Sequence, residues 1–336
     1  MNANIQKSRS LGFGLVELMV GMVIGLLATL VIMQVFSFFE GQKRTTTGGA
    51  DAQTNANVAL YSVQRETSMA GYGLPVFSIK NPALRCDPLP TFGGLGIFPV
   101  LITEGGAGAS DTLTIRYGET QRGGIPINGT FAGTSVTVVN NMGCQVGDTA
   151  LIVNGSLCAM QTVSALPDNT HITLVAAPAV TAGNISCMGP WNEVSYTTAG
   201  GGLTRNGVPS AADVVSLQAQ YGLTAAPAVK GNNTITEWAD AAAVAPDLAM
   251  RLRIRAVRIA LITRNGAYEK DVVSYACNPP AAPLPIPANQ TCIWTGDAAP
   301  VNVDLSGLGA DWNHYRYTVL ETIIPLRNLV WSSNTL

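Results

Sequence analysis

Leu11–Phe39 reads LGFGLVELMVGMVIGLLATLVIMQVFSFF. From Phe13 to Phe39 it carries one formal charge, Glu17, near the start of an otherwise almost unbroken apolar run. A helix rises about 1.5 Å per residue, so the run can cross a hydrocarbon layer roughly 30 Å thick with a turn or two to spare. A carboxylate inside that layer costs a few kcal/mol, so Glu17 marks a functional site whose partner has to be found.

Upstream stands MNANIQKSRSLG, short, polar and basic. A secretory signal is cut after its apolar region, at small residues in an A-x-A arrangement. No such site follows Phe39, and the run is too long for a typical signal, so a retained anchor is expected. Lys7 and Arg9 precede the span while Lys43 and Arg44 follow it, so the positive-inside rule hardly discriminates between orientations. Gly21 and Gly25 form a G-x-x-x-G, which either lets helices approach closely or simply tolerates lipid.

Downstream, Glu40–Met69 predicts a helix continuing from the anchor. Its apolar stripe runs through Val58, Tyr61 or Ser62, Arg65 and Met69, with Leu60, Val63 and Thr67 beside it. Thr45–Gly49 predicts a kink or break, and Gly71 a C-cap. After Gly73 short alternating runs take over. They predict strands at Thr112–Tyr117, Ser135–Val139, Thr149–Val153, Ala159–Ser164, Ile172–Val175, Glu193–Thr198, Val214–Gln220, Ala256–Thr263, Val272–Ala276 and Arg316–Ile324. Asn154-Gly155 and Asn265-Gly266 predict hairpin turns, Ala242–Arg255 a helix, and Pro279–Pro287 a Pro-rich loop. The fold class is therefore α+β: a long N-terminal helix, then a mainly antiparallel β head with long loops.

Charged residues make up 12 % of the 336-residue chain and Gly plus Pro number 54, which suits a loop-rich extracytoplasmic β protein. The net charge is −2; without the first twelve residues, 17 basic stand against 21 acidic residues, a balance of −4. Neither value favours nucleic acid as an obligatory partner. Cys86, Cys144, Cys158, Cys187, Cys277 and Cys292 all follow the apolar run, and none forms a CxxC pair, which predicts disulfides made in an oxidising compartment. Of the 15 pairings that six cysteines allow, the local ones Cys144–Cys158 and Cys277–Cys292 are expected, leaving Cys86–Cys187.

Gly12-Phe13-Gly14-Leu15-Val16-Glu17-Leu18 resembles the class III signal of type IV pilins and pseudopilins, with Gly14 in place of the more usual Thr or Ser. The resemblance implies cleavage between Gly12 and Phe13 by a prepilin peptidase and methylation of the new Phe13 amine. It thereby supplies the partner for Glu17, the charged N-terminus of a neighbouring subunit. Ser110–Glu119 (SDTLTIRYGE), Asp213–Leu223 (DVVSLQAQYGL) followed by Trp238, Arg255–Asn265 (RAVRIALITRN) and Tyr315–Trp331 (YRYTVLETIIPLRNLVW) resemble the PilW-type minor pilin family. What this implies is a leader at 1–12, a transmembrane and assembly half-helix at 13–39, a periplasmic half-helix at 40–72 and a β-rich head at 73–336. The implied location is the inner membrane with the head in the periplasm, and the pilus tip after assembly. The implied partners are other minor pilins, the major pilin, the peptidase/methyltransferase and the inner-membrane assembly platform.

A search for chemistry finds little. His171 and His314 stand in no metal-binding spacing, no glycine-rich phosphate loop opens a helix, and acids are thinly spread, so no catalytic residue, metal or cofactor is expected. Arg251, Arg253 and Arg255, with Arg258 beyond, form the one basic cluster; extended, the first three would share a face able to grip an anionic ligand. The bland alternative is a solvated rim paired with acids. Two rivals to the minor-pilin expectation stand: a J-type pseudopilin of type II secretion, and a tip adhesin or DNA-binding subunit.

Overall fold

The computed structural model describes residues 14–75, 86–106, 109–120, 124–229, 231–244, 247–277, 290–297 and 300–329. Two compact units divide at Ala50/Asp51, and helix α1 (Leu15–Met69) contributes to both.

In the first unit the apolar part of α1 is exposed throughout, from Leu15 (76 %) to Phe39 (61 %). Its hydroxyls turn inward onto the helix: Thr29 donates to Leu26 O and Ser37 to Gln34 O. That local satisfaction is what a helix among lipids or other helices requires. Residues 45–49 are helical, against the expected break, and the Thr45 and Thr46 hydroxyls donate to the carbonyls of Gly41 and Gln42 one turn back.

In the second unit α1 buries Ala52, Ala56, Ala59, Val63 and Thr67, spaced four, three, four and four residues apart. The expected line through Val58, Tyr61 and Met69 is exposed instead. Alanines carry little hydrophobic signal, yet they bring the helix backbone close to the sheets it covers. Gly71 ends the helix with φ +73°, as a C-cap requires, and its N–H donates to Arg116 O.

The strands follow as β1 (Thr91–Phe92), β2 (Leu95–Gly96), β3 (Val100–Thr103), β4 (Thr112–Gly118), β5 (Ile127–Ala132), β6 (Ser135–Val138), β7 (Thr149–Asn154), β8 (Leu157–Asp168), β9 (His171–Leu174) and β10 (Ala182–Cys187). Next come β11 (Trp191–Ala199), β12 (Gly202–Arg205), β13 (Val208–Ala212), β14 (Val214–Leu223), β15 (Glu237–Ala239), β16 (Ile254–Arg264), β17 (Cys292–Ile293), β18 (Val301–Asn302) and β19 (Tyr317–Pro325). Short helices α2 (Ala241–Val244) and α3 (Leu248–Arg251) stand where one helix over Ala242–Arg255 was expected, and Arg255 lies in β16.

All the named pairings are antiparallel. A five-stranded sheet runs β13-β12-β11-β4-β3, and a four-stranded sheet runs β15-β14-β16-β19. They share a core with α1 in which Ala59, Val63, Ile115, Tyr196, Leu217 and Tyr221 meet. β16 is buried on both faces; behind it Ala260 and Ile262 pack on Ile293, Trp294, Val303 and Leu305.

Between β4 and β11, themselves paired from Leu113↔Tyr196 to Gly118↔Trp191, the chain inserts a closed six-stranded barrel ordered β10-β5-β6-β9-β8-β7. It has its own core of Val136, Ile152, Val163, Ile172, Leu174 and Ile185. At its base a Cβ on Gly118 would lie 2.1 Å from Met188 O and one on Gly189 2.7 Å from Thr120 N, so only glycine fits this crossing.

A second excursion leaves β16 at Arg264 and returns to β19 at Tyr317, two residues directly opposite each other. The expected hairpin at Asn265-Gly266 is therefore absent. The expected strand Val272–Ala276 is reduced to a bridge at Tyr275↔Gln290, because Val273 and Ser274 N–H groups donate to Asn313 O instead. Asn154-Gly155 does make its hairpin, with Gly155 at φ +65°.

The disulfides are Cys86–Cys158, Cys144–Cys187 and Cys277–Cys292. The last is as expected; the other two correct the pairing Cys144–Cys158 with Cys86–Cys187. The β7–β8 hairpin carries Cys158 opposite Val153, next to the turn, whereas Cys187 on β10 lies opposite Ala150, at the β7 end that follows Cys144. Sequence proximity gave way to barrel closure.

Candidate functional site

Glu17 stands in the first turn of α1, where the helix dipole favours an acid. It is solvent-exposed, as are Leu15, Val16, Leu18 and the apolar residues that follow. Gly12 and Phe13 lie outside the described residues. A Cβ at Gly21 or Gly25 would meet nothing within 4 Å, so both glycines remain open to a partner helix. Glu40 and Arg44, one turn apart at 3.0 Å, mark the polar end of the apolar segment.

The head holds the C-terminal half of α1 through polar contacts that are mostly part-buried. Glu66 accepts from the Tyr196 hydroxyl at 2.7 Å and from Arg205 Nε at 2.9 Å, so one carboxylate ties the helix to β11 and β12. Asn55 donates to Asp213 at 2.9 Å, and Asn328 donates to the terminal carbonyls of Met69 and Ala70. Unpaired helix carbonyls are costly when buried, and Asn328 satisfies them from the far end of the chain. None of these anchors except the helix terminus at Arg65–Tyr72 was legible as a motif.

The arginine cluster is not an accessible basic face. Arg251, Arg253, Arg255 and Arg258 are all at most 8 % exposed. Arg253 pairs with Glu237 at 2.6 Å and Arg258 with Asp297 at 2.6 Å, the latter guanidinium lying between the rings of Trp238 and Trp294. Arg255 donates to the carbonyls of Asn232, Leu252 and Ile254, and Arg251 has Asp87 at 3.9 Å. Burial pushes the Arg251 and Arg255 pKa values down from the ordinary arginine value. Both the anion-gripping expectation and the solvated-rim alternative give way to arginines used as internal braces.

His171 pairs with Asp168 at 2.8 Å in a surface turn, and His314 stacks on Tyr268 with 5.2 Å between centroids. Among the described residues no group of three His, Cys, Asp or Glu side chains could hold a metal ion. Asp111 is the notable buried acid: it accepts from Gly105 N and Ala219 N, joining the two sheets, and burial raises its pKa to about 6.

Taken together, these features define a class: an exposed apolar helix with one acid at its start, continuing into a disulfide-bonded antiparallel head. Residues 192–328 match the family model PilW, described as type IV pilus-assembly protein W. The match supports a protein associated with type IV pilus assembly; it runs from β11 through β19 and leaves out both α1 and the barrel. Comparisons with curated proteins and with solved structures gave no match.

Proposed function

We propose that this chain is a minor pilin that joins a tip or initiation complex and primes assembly of the type IV pilus. The observation that carries the reading is the coexistence, in one chain, of Glu17 at the start of an exposed apolar helix and the pilus-assembly match over 192–328. In this reading a prepilin peptidase cuts between Gly12 and Phe13, and the new Phe13 amine is methylated. Phe13–Phe39 then anchors the chain in the inner membrane with its head in the periplasm. Glu17 attracts the Phe13 amine of an adjacent subunit while the apolar helices bundle, so a carboxylate costly alone in lipid becomes favourable once a neighbour arrives. The packing between helices supplies the rest of the contact.

The chain's role is structural, with major and minor pilins and the assembly platform as partners. Deleting the gene and assaying surface pili and protein secretion separately tests it. Loss of pili with secretion intact is expected; loss of secretion with pili intact would assign the chain to type II secretion instead.

A further inference from the structure

The end strands of an open sheet present backbone groups that either find a partner or invite one. The five- and four-stranded sheets of the head end in β13, β3, β15 and β19. Three of these ends are guarded. On β3 the Tyr221 hydroxyl accepts from Ile102 N–H and donates to Val100 O, β13 carries Pro209, and β15 is three residues long. The fourth end, β19, runs for nine residues, YTVLETIIP, and is paired on one side.

The register shows which of its backbone groups are left over. β19 pairs with β16 without a bulge from Arg264↔Tyr317 to Ala256↔Pro325. Just beyond the two ends, Asn265 N–H donates to Arg316 O and Leu326 N–H donates to Arg255 O, each between residues that the same register places opposite one another. Hydrogen-bonded pairs alternate along an antiparallel ladder, so Thr318, Leu320, Thr322 and Ile324 direct their backbone groups to β16. Tyr317, Val319, Glu321 and Ile323 therefore turn N–H and C=O outward, and Pro325 its C=O. Among the described residues no strand pairs with this outer side. Tyr317 and Val319 pack against the cluster of Ile293 and Trp294, whereas Glu321, Ile323 and Pro325 are exposed, Ile323 at 57 %.

Outward N–H and C=O groups at every second residue of a strand are matched by an extended backbone laid alongside. The side chains narrow the choice of backbone. Glu321 is the one charge on β19, and one of its oxygens accepts from Trp294 N–H. A second copy of β19 laid antiparallel would put Glu321 opposite itself or, in the adjacent registers, opposite Val319 or Ile323. The first sets like charges against each other, and the others cover a carboxylate with an apolar side chain. A different segment, with Lys or Arg opposite Glu321 and an apolar residue opposite Ile323, satisfies both positions.

We infer that the free edge of β19 takes up an extended segment of another subunit of the assembly, adding it to the four-stranded sheet with a basic residue facing Glu321 and an apolar one beside Ile323. This rests on the pilus-assembly reading above and extends it from the apolar helix to the head.

The test uses the full chain in cells. Proline at an outward position removes an N–H that the ladder to β16 does not use, and Pro325 already occupies such a position. Ile323→Pro should therefore lower surface pili about tenfold or more, with melting temperature and disulfides unchanged, because the incoming strand loses a bond and meets the ring. Ile323→Val, which keeps the N–H, should piliate like wild type. Independently, a photoreactive side chain at Ile323 should give an adduct that mass spectrometry identifies as a different pilus subunit. Glu321→Gln, still able to accept from Trp294 N–H, should lower the yield of that adduct severalfold. An adduct to a second copy of this chain, an adduct to lipid alone, or no adduct would overturn the inference whether or not the proline variant folds, and so would wild-type piliation of a folded Ile323→Pro. An undiminished yield with Glu321→Gln would overturn the basic partner residue. Deletion of the gene runs alongside. If deletion abolishes pili and Ile323→Pro does not, the edge inference alone fails; if deletion leaves pili unchanged, the assembly reading fails with it.

Discussion

The head makes two excursions from the same kind of stem, an antiparallel strand pair, and builds them oppositely. The insertion between β4 and β11 closes into a barrel with its own apolar core. Among its described residues the excursion between β16 and β19 makes the two-residue strands β17 and β18 and two single 3-10 turns, closes with Cys277–Cys292, and borrows the back face of β16 for Ile293, Trp294, Val303 and Leu305. One excursion is stable through its own alternation of residues; the other is stable through what it leans on. The barrel can therefore carry an exposed surface without cost to the framework, whereas the strap is part of the framework.

Three perturbations separate the two. Cys144→Ala with Cys187→Ala opens a 43-residue loop, for which chain entropy gives about 4 kcal/mol. Hydrogen exchange should show that loss confined to 127–187, with β14 and β16 still protected. Trp294→Ala, removing a side chain 4 % exposed and one wall of the Arg258 cage, should cost about 3–4 kcal/mol. Here calorimetry should show the four-stranded sheet itself destabilised, because strap and framework share that core. Cys277→Ala with Cys292→Ala opens a 15-residue loop and should cost about 3 kcal/mol. If either strap change left β16 fully protected, the contrast would be broken.

The smallest effect belongs to the framework joint that neither excursion touches. The Asp111 pKa is raised by burial from 3.8 to about 6, so the folded state holds the proton more tightly than the unfolded chain does. Stability from this group rises as pH falls through 6 toward 3.8, and is lost as pH climbs above 6. Melting curves between pH 5 and 7.5 should show the trend, and Asp111→Asn should remove it while leaving the barrel's response unchanged.

What could be read from the chain beforehand follows the same contrast. Strands whose signal is local, such as those at Thr112, Ser135, Thr149 and Val214, were legible, as were the Asn154-Gly155 turn and the Gly71 cap. Closure of the barrel was not, because β5 and β10, INGTFA and AGNISC, are rich in Gly, Asn and small residues, and it is their pairing with each other that closes the ring. The cysteine pairs failed for the same reason, since closure rather than spacing brings Cys187 to Cys144. Of the helix stripe, Val63 and Thr67 were legible, but Ala52, Ala56 and Ala59 were not, because alanine gives a weak hydrophobic signal where it makes a close contact. The arginines looked like a surface cluster because sequence cannot show the carbonyls and acids that buried them. At the candidate site, Glu17 was legible as an anomaly of charge within an apolar run. The clasp of Glu66 by Tyr196 and Arg205 was not, since its members lie 130 and 139 residues apart.

In the proposed function Glu17 serves assembly rather than processing or folding. This role is tested most directly by Glu17→Ala in the full chain, with immunoblots of leader cleavage and counts of surface pili on the same cells, and Gly12→Ala as the uncut reference. The expected result is a chain cut normally between Gly12 and Phe13 that fails to support piliation. A Glu17→Ala protein that stays uncut, or one that is cut and piliates like wild type, would contradict it.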